Sequence, residues 1–404
     1  MMLGILFGLF FLLLFIGMPV AYGMVISAVI TLFFDPSLTG IIIPQKLFTG
    51  MDSFSLMAVP FFMLAGTLME KSGITDILVN WAKSLVGHFK GGLGHATIVT
   101  GVVMAGVSGS ANADTSALAS ILVPIMRKDG YDDGYSCALV SSCGALGPVI
   151  PPSIMMVLYS GVTSIAIGKL FMAGIIPGLV IAIGYMIVNG VYARKAGIPK
   201  SKFVGWKALG QDTLKALPAL IMPVIIIGGI LSGATTATEA GVVACVYRII
   251  YGFLRKTMNV HHGWECFKDA VHGTTNCMIV VVFAGIFGTL ATNYNLSKVV
   301  LAASQVFHGN PYLILIFISI ILYIAGMFID SNAAMLMLVP IFTPLIAAYG
   351  FDPIYFAMVC ILTLDMGGMS PPVGLLMYIS ASITDTPLEK VVKILREKAA
   401  TVSV

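Results

Sequence analysis

Along this chain, apolar runs of membrane length alternate with short polar joints, and four of the runs are broken in their middles. The runs lie near 3–33, 54–69, 95–126, 135–160, 169–192, 215–231, 237–254, 274–292, 311–346 and 354–383. A spanning helix needs ~20 residues, so the pattern predicts about ten membrane segments. Four of them, 95–126, 135–160, 311–346 and 354–383, carry polar or proline-rich interruptions. Composition agrees: 58% of the 404 residues are hydrophobic and 10% charged, against roughly a quarter charged in a soluble chain. The expected class is an all-α polytopic membrane protein solvated by the lipid bilayer.

The beginning, MMLGILFGLFFLLLF, has no basic stretch ahead of its apolar run. It reads as a first membrane helix and not as a cleaved signal. The net charge of +4 comes largely from loops and tail, so it speaks to orientation and gives no reason to expect a nucleic-acid partner. Six cysteines form no C-x-x-C pair; most sit in apolar runs, where cysteine behaves as a small hydrophobe.

The interruptions are related to one another. Offset by 220 residues, Ala105-Gly106 meets Ala325-Gly326, Asn112-Ala113 meets Asn332-Ala333, and Pro151-Pro152 meets Pro371-Pro372. Between 105 and 160 this register gives 14 identities in 56 positions, where chance gives roughly four for so apolar a chain. Gly66-Thr67-Leu68 meets Gly288-Thr289-Leu290 at nearly the same offset. The sequence therefore divides into a first repeat (1–192), a basic linker (193–215) and a second repeat (216–404). Basic residues mark the cytoplasmic side. The linker carries Arg194, Lys195, Lys200, Lys202 and Lys207, and the loop after 126 carries Arg127 and Lys128, but its counterpart after 346 carries no base. The repeats are expected to be inverted.

Lipid offers no hydrogen bonds, so unwound backbone survives only inside protein or along a wet cavity. GVSGSANAD (106–114) pairs with GMFIDSNAA (326–334), and LGPVIPPS (146–153) with MGGMSPPVG (366–374). Each di-proline removes two amide donors and fixes φ. The expected product is two re-entrant helical hairpins and two broken helices meeting at mid-membrane. Helix N-termini there suit an anion, and freed carbonyls suit Na⁺. That is the architecture of an ion-coupled carrier.

Membrane aspartates rarely lack a partner or a function, and Asp114, Asp330 and Asp365 are all candidates. Asp330 leads because it lies in a duplicated interruption; Asp365 has the alternative of being satisfied by neighbouring hydroxyls. Glu239 is open between helix-start pairing and an ion site, and Arg248 is expected to snorkel to the cytoplasmic surface. Histidines 88, 95, 261, 262, 272 and 308 fall in loops or at helix ends and are assigned nothing. Gly106-Val107-Ser108-Gly109 also fits the nucleophile pattern of an intramembrane serine protease, but that chemistry needs a histidine at membrane depth. The other rival, a passive anion channel, does not need matched broken helices.

Several stretches resemble the large membrane subunit of tripartite ATP-independent periplasmic (TRAP) transporters, the DctM-like family. They include AGVSGSANADTSALASILVPIMRKDGY, GPVIPPSIMMVLY, PVIIIGGILSG, TEAGVVA, GMFIDSNAAMLMLVPIFTPL and GMSPPVGLLMYIS. The resemblance implies a multi-pass protein of the bacterial inner membrane and not an enzyme. It implies Na⁺-coupled import of an organic acid anion, of C4-dicarboxylate, keto acid or sialic acid type, by an elevator motion. Two partners are implied: a small four-helix membrane subunit and a periplasmic substrate-binding protein. Carried onto this chain, the Na⁺ positions are Ser108, Gly109, Ser110, Gly147, Asp330, Asn332, Gly367 and Ser370. The substrate positions are Ser110, Asn112, Ser153 and Asp330, and Pro151, Pro152, Pro371 and Pro372 are structural. The family has another spanning helix after its last broken one, where this sequence has KVVKILREKAATVSV; on this reading that helix is missing. Ala237 replaces a proline usual before Thr238-Glu239, and Asp365 and Arg248 stand where small or apolar residues are usual.

Overall fold

Four residues, Ile16 to Pro19, decide what the first apolar run becomes. Gly17 adopts φ +90°, a conformation glycine enters without steric cost, and Pro19 caps the next helix. The run 3–33 is therefore not one spanning rod. It forms α1 (Met2–Phe15) and α2 (Val20–Phe33), which fold back on each other so that Gly23 lies against Phe10 and Leu13. The sequence expectation of a single segment is corrected: hydropathy does not register a turn whose own residues are apolar.

The computed structural model describes residues 1–35, 38, 40–71, 73–200, 202–255, 257–305 and 310–394. His308 and the tail beyond Ile394 lie outside the described residues. Eighteen helices occur among the described residues, with no strand beyond an isolated bridge between Lys90 and Lys200. After α2 come α3 (Ile42–Met51), α4 (Ala58–Glu70) and α5 (Ile74–Val86). The first hairpin is α6 (Gly92–Ser108) and α7 (Ala111–Lys128), followed by α8 (Asp133–Gly144), α9 (Ile154–Thr163) and α10 (Ile167–Lys195). Next are α11 (Trp206–Leu231), α12 (Ala237–Leu254), α13 (Val260–Asn293) and α14 (Leu296–Ser304). The second hairpin is α15 (Pro311–Phe328) and α16 (Ser331–Ala348), followed by α17 (Pro353–Gly368) and α18 (Leu375–Ile383).

Six of the described helices, α10 to α13, α15 and α16, are long and apolar enough to cross a membrane. That is fewer than the expected ten segments, because α1, α2, α4, α6, α9 and α17 are each only 10–17 residues long. The linker is also shorter than expected, since α10 runs to Lys195 and α11 begins at Trp206.

The two hairpins enter from opposite sides. Asp352 starts α17 directly after the base of the second hairpin, accepting from the Ile354 and Tyr355 amides. The chain then runs through the break at 369–374 into α18, which packs along α7. It ends beside the base of the first hairpin, where the Arg127 guanidinium donates to the Thr384 carbonyl at 3.3 Å. One broken helix thus connects base to base. Reciprocally, α9, the second half of the other broken helix, packs on α16. The fold is an inverted repeat of hairpins and broken helices.

Around this centre, α4 packs against α12 and α13, and α5 against α11. Arg248 on α12 is 2% exposed, with its guanidinium 5.7 Å from the centre of the Tyr251 ring. It does not snorkel; packing holds it inside, where a cation over an aromatic face is favourable. Glu239 takes the helix-start role. It forms a capping box with Thr236, accepting from the Thr236 amide at 2.7 Å and hydroxyl at 2.8 Å.

Candidate functional site between the hairpin tips

Each tip is a two-residue joint. In the first, Gly109 closes α6 in the left-handed region at φ +62° and Ser110 caps α7, its hydroxyl accepting from the Ala113 amide at 3.5 Å. In the second, extended Ile329 follows α15, and Asp330 caps α16, one carboxylate oxygen accepting from the Asn332 and Ala333 amides at 3.1 and 3.3 Å. The tips meet: the Asn112 amide donates to the other Asp330 oxygen at 3.3 Å. This bond joins residues 218 positions apart, one from each repeat.

The tips enclose a cavity of about 30 Å³ lined by Gly109, Ser110, Asn112, Asp330 and Asn332, all expected site residues, together with Asp365 and Ser331. Ile154, Leu375 and Leu376 also line it. The first turns of four helices, α7, α9, α16 and α18, therefore converge on one small space. Each helix start carries a partial positive charge of about half a unit, although caps already pair several of the first-turn amides.

The remaining expected residues stand behind the tips. Ser108 donates to Asp114 at 2.6 Å and accepts from the Ser110 amide at 3.1 Å. Asp114 is fully buried, and its second oxygen has no hydrogen-bond partner. The Ser108 hydroxyl thus faces a carboxylate and not an imidazole, which removes the geometry a serine nucleophile needs. Gly147 lets the first tip sit down on its broken helix: a Cβ there would lie 2.9 Å from an Asp114 oxygen and 3.0 Å from Ser110 backbone. Gly109 makes the complementary contact, its carbonyl accepting from the Ile154 amide at 3.2 Å. In the second unit a Cβ on Gly367 would lie 2.4 Å from the Tyr323 carbonyl.

Ser153 does not reach the cavity. Its hydroxyl donates to the Pro148 carbonyl at 2.7 Å and caps α9 through the Met156 amide at 3.2 Å. Ser370 also stands outside, accepting from the Tyr323 hydroxyl at 2.7 Å and donating to the Met366 carbonyl at 2.8 Å. Pro151-Pro152 and Pro371-Pro372 occupy the two breaks, each with a cis peptide bond. Asp365 is 3% exposed, and neither of its oxygens has a hydrogen bond, so it is not satisfied by hydroxyls. Among the described residues no group of three or more His, Cys, Asp or Glu side chains could hold a metal. Any cation here would meet mostly backbone and isolated carboxylate oxygens.

Residues 7–397 match the family described as the tripartite ATP-independent periplasmic transporter, DctM component. The chain belongs to this family. It is 37% identical over 381 residues to a sialic acid TRAP transporter large permease protein of Vibrio cholerae, covering 93% of this chain and 88% of the relative. It is 34% identical over 379 residues to the 2,3-diketo-L-gulonate TRAP transporter large permease protein of Escherichia coli, covering 94% and 89%. The fold resembles the crystal structure of the Alcanivorax borkumensis YdaH transporter, described as having an unusual topology. The TM-score is 0.60 at 13% identity, over 88% of this chain and 84% of that one. The meeting tips are thus part of a TRAP large permease, a multi-pass membrane transport protein.

Proposed function

We propose that this TRAP permease imports an organic acid anion across the bacterial inner membrane, coupled to Na⁺, by an elevator motion of the hairpin-bearing unit. The observation that carries the reading is the convergence of four helix starts on a cavity closed by the Asn112–Asp330 contact. Helix starts and the Ser110 and Asn112 side chains would hold the carboxylate of the anion. Na⁺ would bind to backbone carbonyls around Ser108–Ser110 and ahead of each di-proline, near Gly147 and Gly367. Asp330 would supply the charged ligand and Asn332 would lie beside it. Ser370 would contribute its carbonyl, because its hydroxyl is taken by Tyr323 and Met366.

The names of the relatives support an organic acid, since sialic acid and 2,3-diketo-L-gulonate both carry a carboxylate. They differ enough that the substrate class stays at the level of the acid group. A small four-helix membrane subunit and a periplasmic binding protein would complete the assembly, the latter selecting the substrate.

The test is Na⁺-driven uptake into vesicles holding the complete assembly. Asp330→Asn is expected to abolish uptake while leaving folded protein at the wild-type level. It keeps the cap shape but removes the charge from both the Na⁺ and the Asn112 contacts. Unchanged uptake would remove Asp330 from the site.

A further inference from the structure

We infer that Asp365 gives the cavity between the tips a cation position of its own, beside those expected at the two hairpin–break junctions. Asp330 is already engaged, capping α16 with one oxygen and accepting from Asn112 with the other. Asp365 is engaged by nothing. It is 3% exposed, both its oxygens lack hydrogen bonds, and it lines the same cavity as Asp330.

Its position in α17 makes this worse. Asp365 lies in the last turn of a helix that ends at Gly368, where the dipole is negative and an acid is disfavoured. Among the described residues that line the cavity there is no Lys, Arg or His. Two carboxylates therefore share a space of about 30 Å³, roughly the room for a single water-sized occupant. A buried carboxylate without hydrogen bonds or a partner is costly, and a small monovalent cationic centre answers that cost directly. Oxygen ligands of this kind suit a hard cation.

The repeat supports a dedicated role. The position matching Asp365 in the first repeat is Ala145, so the duplicated skeleton does not require an acid there. The cationic centre can come from two sources: an alkali cation, or the ammonium group of a transported molecule that also carries a carboxylate. The inference rests on the carrier reading above and adds one charge to it.

The experiment follows the thermal unfolding midpoint of the purified full chain, with NaCl or methylammonium chloride replacing choline chloride at constant ionic strength. Asp365→Asn and Asp365→Ala are compared with wild type, the alanine reproducing the matched residue of the first repeat. In choline alone both variants are expected to unfold at or above the wild-type midpoint, because an unpartnered charge has been removed. The half-saturating concentration of the stabilising cation is expected to rise at least tenfold in both. If Na⁺ alone shows this difference, the centre is an alkali cation; if methylammonium shows it, the centre is an ammonium group. Curves for both variants that overlay wild type in Na⁺ and methylammonium overturn the inference and leave the carrier reading standing. A wild-type chain that responds to neither cation removes Na⁺ coupling itself, and the inference with it.

Discussion

The two hairpin–break units share a skeleton and differ in where they keep their acid. In the first, Asp114 sits on the hairpin behind the tip, held by Ser108. The matched positions in the second are Ala334 and Phe328, and the buried acid comes instead from the broken helix as Asp365. Tip one turns through left-handed Gly109 and is capped by Ser110; tip two passes through extended Ile329 and is capped by Asp330. What the copies have in common are residues that shape backbone: Asn-Ala after each tip, a glycine before each break, and the di-prolines. The acids at and behind the tips are those that differ, while the cap of the following helix, Asp132 and Asp352, is shared. A duplicated frame therefore holds two chemically distinct half-sites, the second with two acids at the cavity and the first with one behind it.

The sharpest way to break the comparison is to give tip one the shape of tip two. A Cβ at position 109 would lie 2.4 Å from the Pro152 carbonyl and 3.0 Å from the Ser153 Cα, at a φ of +62°. Gly109→Val is expected to cost several kcal/mol, from strain at a left-handed β-branched residue and from collision with backbone. Size-exclusion profiles should show little folded protein, and uptake should vanish. Ile329→Val, at the matched position, should leave both unchanged. A normal folded yield for Gly109→Val would mean that the tip is not seated in its broken helix.

A smaller effect tests the buried acid of the first unit. Ser108→Ala leaves Asp114 with neither oxygen bonded, whereas Ser108→Ala combined with Asp114→Ala removes the pair. The double-mutant cycle on unfolding midpoints should give a coupling of about 0.5–3 kcal/mol, the span from a neutral to a charge-assisted hydrogen bond. The double variant should be more stable than Ser108→Ala alone. Zero coupling would show that the two side chains do not act together.

The skeleton was legible because turns that break membrane helices need glycine, proline and small polar residues, and the duplication repeats them in register. Asn112 and Asp330 were both legible as polar residues of the matched interruptions, but their contact was not. It depends on two hairpins meeting tip to tip, which symmetry permits without specifying. Gly17 and Pro19 lie inside a run that reads as one apolar segment, and they reverse the chain, because hydropathy cannot separate a continuous helix from a return. Arg248 was misread because lateral packing of α12, and not distance along the helix, decides whether a long cation reaches water. Asp365 was visible as an acid in an apolar run. Whether nearby hydroxyls satisfied it was a question of side-chain reach that sequence does not hold; Ser370, five positions on, spends its hydroxyl on Met366 and Tyr323.

That bond between Tyr323 and Ser370 is the finest difference between the units. The matched pair in the first repeat is Val103 and Ile150, two apolar side chains where the second unit has a hydrogen bond of 2.7 Å. Both partners are only partly buried. Ser370→Ala is then expected to cost ~1 kcal/mol of stability, the ordinary net worth of such a bond. Uptake should stay within about twofold of wild type, since a carbonyl ligand ahead of Pro371 survives the substitution and a loss of that size moves rates little. Tyr323→Phe should reproduce the stability loss, and the double variant should add nothing further. A tenfold rise in the Na⁺ concentration for half-maximal uptake with Ser370→Ala, but not with Tyr323→Phe, would instead place the serine hydroxyl on the ion and make the second unit the more side-chain-dependent of the two.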